Sequence, residues 1–127
     1  MYYEGSGNTE KLNWVINKLL EIYPKHLLKH PEDAYRHMAY AICLAIAGRV
    51  DEAKTEGEKA LDLSPDDPIM MYYGACLYAR FKKNKYAIEL LSKAIKNGYQ
   101  NYEWIKRDPD FENIRNEPEF IELIKGK

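Results

Sequence analysis

The chain carries an internal copy of itself, displaced by 34 residues. Pro31, Asp33, Ala41, Ala45, Ala53, Lys59 and Ala60 return as Pro65, Asp67, Ala75, Ala79, Ala87, Lys93 and Ala94. Four of these recurring pairs are alanines within helical patterns, where a small side chain lets two helices approach closely. A fixed period of this length is the mark of an array of helical hairpins. The expected fold class is therefore all-α, and the expected role is that of a scaffold that binds rather than a catalyst.

At 127 residues, 46% hydrophobic and 31% charged, the chain fits one globular domain. Nineteen basic residues almost cancel twenty acidic ones, for a net charge of −1. On the chain average this gives no attraction to nucleic acid or to an anionic membrane, and neither partner is expected. The longest weakly polar run, 38–47, is far short of the roughly 20 residues of a spanning helix, and with no basic stretch followed by an apolar one at the start a secretory signal is not expected. Cys43 and Cys76 stand apart with no C-x-x-C pair. They are expected to be buried, reduced thiols of a cytoplasmic protein.

Residues 1–8 are expected to be a flexible N-terminus, followed by one domain over 9–127. Thr9 is placed as the cap of an N-terminal helical segment, 9–30, with Leu12, Val15, Ile16, Leu19 and Leu20 forming its apolar stripe. Pro24 predicts a break near Ile22 and Tyr23, with a short second helix over 25–30. The first hairpin spans 34–67: Asp33 caps a helix reaching Ala47, Gly48 closes it, and Asp51 opens a second helix ending at Leu63. The second spans 68–98, with Asp67 as cap and Pro68 in the first turn. Its inner turn lacks glycine, and Asn84 is expected to take the left-handed conformation there. Residues 99–127 break the period. Three short helices starting near Asn101, Asp108 and Asn116 are expected to cap the apolar end of the array.

These residues resemble tetratricopeptide repeats. The first copy matches through Tyr40-Ala41-x-x-Leu44, Gly48-x-x-Asp51-Glu52-Ala53, Ala60-Leu61 and Pro65. The second matches through Gly74-Ala75-x-x-Tyr78, Tyr86-Ala87 and Leu91-x-x-Ala94-Ile95. His37 and Met71 depart from the pattern's early aromatic, Gly57 from its large apolar position, and Tyr99 from a third proline. The run from Gly98 through Trp104, Asp108-Pro109-Asp110-Phe111 and Pro118-Glu119-Phe120 resembles the C-terminal ending of bacterial and archaeal proteins of this type, some fused to kinases or cyclases. The resemblance implies a right-handed stack of antiparallel helix hairpins, an α-solenoid of two repeats with an N-terminal helix and C-terminal capping helices.

It also implies a concave groove lined by Tyr35, Met38, Ile42, Ile46, Ile69, Tyr72, Cys76, Ala79 and Arg80. That strip suits an apolar peptide or partner helix of unidentified origin. The chaperone-tail carboxylate clamp is not expected, because Met38, Ile42, Ile69 and Tyr73 stand at its lysine and asparagine sites. In the competing reading the strip is filled by the N-terminal helix or by a second copy in a homodimer, and the chain is a structural or regulatory appendage of a larger enzyme.

Other chemistry is thinly represented. His26 and His30 are one helical turn apart, but Pro31 puts His37 on another helix and no cysteine is near, so no metal site is expected. Arg80, Lys82, Lys83 and Lys85 read as a solvated turn. Asp66, Asp67, Asp108 and Asp110 sit beside prolines and read as helix caps rather than as a catalytic carboxylate pair. With three serines, two threonines and no phosphate-binding glycine loop, neither catalytic residues nor a cofactor are expected.

Overall fold

The computed structural model describes residues 8–127. All its regular structure is helical, in the order α1 (Asn8–Lys29), α2 (Ala34–Ile46), α3 (Val50–Leu63), α4 (Pro68–Arg80), α5 (Asn84–Lys96) and α6 (Tyr102–Arg107), then a 3-10 turn (Pro109–Phe111) and α7 (Pro118–Ile124). The chain divides into two compact units between Ser64 and Pro65. The expected flexibility of residues 1–8 lies outside the described residues, except that Asn8 is already helical.

In the first unit α1 packs on α2, and α2 pairs with α3. The α2 start is set locally: Asp33 adopts an extended backbone and its carboxylate accepts from Arg36 N at 3.1 Å. His26 Nε2 also donates to Asp33 at 2.8 Å and holds that carboxyl below the usual carboxylate range. Gly48, at φ 83°, turns the chain within three residues, which makes α2 and α3 antiparallel. Ala41, Ala53 and Ala60 are fully buried, as the close contact of the two helices requires. His37 is buried too. Its Nε2 donates to Pro31 O at 2.8 Å and its Nδ1 pairs with Glu56 at 2.7 Å, tying the α1–α2 turn to α3.

The second unit repeats this plan with different side chains. Asp67 accepts from Ile69 N and Met70 N, and α4 pairs with α5. Ala75, Ala87 and Ala94 are again fully buried. The counterparts of His37 and Glu56 at the 34-residue offset are Met71 and Leu90, both buried and apolar. One repeat thus satisfies this position with a hydrogen-bonded polar pair and the other with hydrophobic burial. After Gly98, at φ 113°, the remaining chain returns to the hairpin: the 3-10 turn packs on α4 and α7 on α5.

Four local expectations are corrected. α1 runs unbroken through Pro24, so the predicted break and separate helix over 25–30 are absent. Proline in a helix interior costs about 3 kcal/mol. The buried Ile16 and Leu27 lie on either side of Pro24 and anchor both halves of α1, outweighing that cost. Thr9 is the second residue of α1 rather than its cap. The left-handed residue of the second turn is Lys82, at φ 60°, and Asn84 instead begins α5. Lys82 is the 34-offset partner of Gly48, so the shared hairpin geometry fixes the conformation whatever side chain stands there. The helix expected from Asp108 to Arg115 is reduced to the 3-10 turn, followed by non-helical turns.

Candidate functional site

The nine residues of the expected binding strip have different fates. On α2, Tyr35 is exposed, Ile42 and Ile46 are half-buried, and Met38 is buried. Tyr35, Ile42 and Ile46 recur at intervals of seven and four, which puts them on one side of the helix. On α4, Ile69 is exposed, whereas Tyr72, Cys76 and Ala79 are buried and Arg80 is largely covered. Ile42 and Cys76 are equivalent by the offset, as are Ile46 and Arg80. The same stripe is therefore accessible on α2 and mostly covered on α4.

The cover on α4 is the chain's own C-terminal segment. Asp108, only 3% exposed, lies at its centre. It accepts the Tyr72 hydroxyl, the Cys76 thiol at 3.7 Å and Asp110 N at 2.9 Å, the last capping the 3-10 turn. Its carbonyl accepts from Arg115 Nη2 at 2.6 Å. Tyr72 is sandwiched further: its ring stacks on Tyr99 at 4.3 Å and meets Phe111 edge-on at 5.5 Å. Ala79 O accepts from Asn113 Nδ2 at 3.1 Å, and Arg80 faces Asp110 at 3.6 Å. Neither Tyr72 nor Cys76 is on an open surface.

The chemistry of this cluster is that of a lock. Burial, reinforced by the Asp108 charge, pushes both the Tyr72 hydroxyl and the Cys76 thiol far up, so both keep their protons at neutral pH. A thiol held protonated is a poor nucleophile. Burial and the neighbouring Asp108 also raise the Asp110 carboxyl, against the lowering effect of Arg80. The donor atoms of Cys76, Asp108 and Asp110 lie within 4.8 Å of one another, a spacing at which three ligands could hold a cation. Each is already engaged by a hydrogen bond or ion pair with the protein.

The remaining polar candidates do not converge. His26 pairs with Asp33 and His37 with Glu56, while the His30 ring lies tilted against that of His26, centres 5.0 Å apart, and faces Glu32. Lys82, Lys83 and Lys85 are exposed on and beside the α4–α5 turn. Sequence reading missed the Asp108 lock because its partners lie 32 and 36 residues upstream. The available signal was the polar Cys76 and Tyr72 within α4, four residues apart and therefore on one side of the helix.

The raised protonation equilibria have a measurable consequence. In an unfolded chain a thiol ionises near pH 8.5 and a phenol near pH 10, and each tenfold change in proton affinity is worth about 1.4 kcal/mol. Folding holds Cys76 and Tyr72 protonated above those values, so their contribution is complete below the unfolded values and declines as pH rises past them. Unfolding free energy is expected to fall by about 2 kcal/mol between pH 8 and about pH 10, measured by urea titration. Cys76→Ala should remove most of that decline, because the phenol contributes only as pH nears about 10; an unchanged slope would refute the assignment.

No protein family matches the chain by sequence profile, and no solved structure matches it. The chain is similar to a chloroplastic protein of Arabidopsis thaliana, with 25% identity over 118 residues covering 88% of the chain. The match spans 35% of the plant protein's length.

Proposed function

We propose that this chain is a tetratricopeptide-like module, a right-handed stack of helix hairpins whose accessible apolar strip on α2 holds a peptide or helix of a protein partner. The observation that carries the repeat reading is the shared burial of Ala41, Ala53 and Ala60 with Ala75, Ala87 and Ala94, all at zero exposure and all 34 residues apart. The binding reading rests on Tyr35, Ile42 and Ile46, which leave apolar surface accessible on one helix face. A preformed helical surface limits the ordering cost of association. Protonated Cys76 and Tyr72 support a non-catalytic role, and two free, buried cysteines support a cytoplasmic setting.

The second reading, a structural appendage with its strip self-filled, has its own support. Asp108, Phe111 and Asn113 already occupy the α4 half of the strip. The chain also aligns with only a third of a longer protein. In that case only α2 is left to bind.

Panning a displayed library of short peptides against the chain tests the first reading. Apolar peptides should be enriched, and Ile42→Glu should weaken them at least tenfold, a difference of about 1.4 kcal/mol, with circular dichroism unchanged. Failure to enrich any peptide, or equal binding by Ile42→Glu, would leave the self-filled appendage as the better account.

A further inference from the structure

We propose that the outward face of α1 docks on an anionic lipid bilayer. α1 is 22 residues long, about 33 Å at 1.5 Å per residue. Its inward stripe, including the buried Ile16 and Leu27, serves the contact with α2. On the other side Trp14 is 62%, Ile22 54% and Leu28 84% exposed, with Val15 also in water. Single exposed apolar residues are ordinary; four on one face of one helix are not.

Charge identifies the occupant. Lys11, Lys18, Lys25 and Lys29, all exposed, fall on that same face. At about 100° per residue the eight side chains share an arc of about 140°. Glu10 and Glu21 lie on it too, leaving the lysines in excess. Lys18 Nζ sits 5.7 Å from the centre of the Trp14 ring. Lysines interleaved with tryptophan and aliphatic chains suit the headgroup boundary: the ammonium groups meet lipid phosphates while their stems and the apolar side chains enter the acyl region.

Other occupants fit less well. A second copy related by a two-fold axis would set the lysine row against itself. Nucleic acid would satisfy the lysines but give Val15, Ile22 and Leu28 nothing to pack on, since bases stack on aromatic rings. A folded acidic partner would need a groove matched to a convex rod, whereas a bilayer accommodates one. No helix among the described residues is long and apolar enough to cross a membrane, so the contact is one of lying on the surface. The chain's net charge of −1 hides this local excess. The α2 strip has no part in this contact.

The test uses the full chain carrying Trp104→Phe, so that Trp14 is the sole tryptophan reporter. Vesicles of phosphatidylcholine with phosphatidylserine are compared with phosphatidylcholine alone. The chain should float with the anionic vesicles only, with Trp14 emission shifted to the blue and binding weakened by added salt. Lys18→Gln with Lys25→Gln should weaken it about thirtyfold, at about 1 kcal/mol per lysine. Leu28→Ser with Ile22→Ser should abolish the blue shift, and circular dichroism should be unchanged in both. The proposal is overturned by no flotation with anionic vesicles at low salt, by equal flotation with phosphatidylcholine alone, or by indifference to the lysine changes. A dimer that Leu28→Ser dissociates, in a chain that ignores vesicles, would assign the face to a second copy instead.

Discussion

Asp108→Ala is expected to cost about 3 kcal/mol of unfolding free energy, read from urea titration at neutral pH. The substitution leaves the Tyr72 hydroxyl, the Cys76 thiol and Asp110 N without their acceptor. A buried donor deprived of its partner costs about 1–3 kcal/mol, and loss of a cap about 1 kcal/mol more. Removing the desolvated carboxylate itself offsets part of this, which keeps the expectation below the simple sum. Asp108→Asn retains an acceptor oxygen and should cost about half as much. The decisive measurement is a double-mutant cycle with Tyr72→Phe, where the two losses should fall short of additivity by about 1–2 kcal/mol. Strict additivity would mean that Asp108 does not hold α4 through Tyr72.

Phe111→Ala should be more damaging, costing about 3–5 kcal/mol in all. Phe111 has no exposed surface, meets Tyr72 edge-on and lies 6.0 Å from Phe120. Truncation leaves a cavity between the 3-10 turn and α4 that a closed hydrogen-bonded turn cannot collapse to fill. Against a typical total of about 5–15 kcal/mol for a folded domain, the loss is a large fraction. Phe111→Leu keeps most of the volume and should cost about 1–2 kcal/mol. Hydrogen exchange should find protection lost in α4 and at 109–120. Retained protection there, with a shift of under about 1 kcal/mol, would show that α4 stands without its cover.

Asp108 and Phe111 both act through contacts that local sequence rules do not reach. What the sequence made legible was local or periodic. Asp33 and Asp67 cap their helices through bonds to backbone two or three residues away, so the signal and the structure share one short segment. The alanines were legible because the 34-residue offset repeats a packing constraint. Pro24 misled because its helix-breaking tendency is local, whereas α1 runs unbroken past it with Ile16 and Leu27 buried on either side. Lys82 misled because its positive φ belongs to the hairpin geometry it shares with Gly48, not to lysine. His37 and Glu56, 19 residues apart, were unreadable as a pair until α2 and α3 were set side by side.

The strip itself shows the division most clearly. Spacing alone could align Tyr35, Ile42 and Ile46 on one helix, and Ile69, Tyr72, Cys76 and Arg80 on another, since helical periodicity is a property of consecutive residues. On α4, whether Tyr72, Cys76 and Ala79 meet water depended on Asp108, Phe111 and Asn113, more than 30 residues beyond the residues they cover. Helices, caps and small-residue contacts were thus written in the chain itself. The closing of α4 was decided only by tertiary packing, because burying Phe111 and satisfying Asp108 require partners that no local pattern brings together.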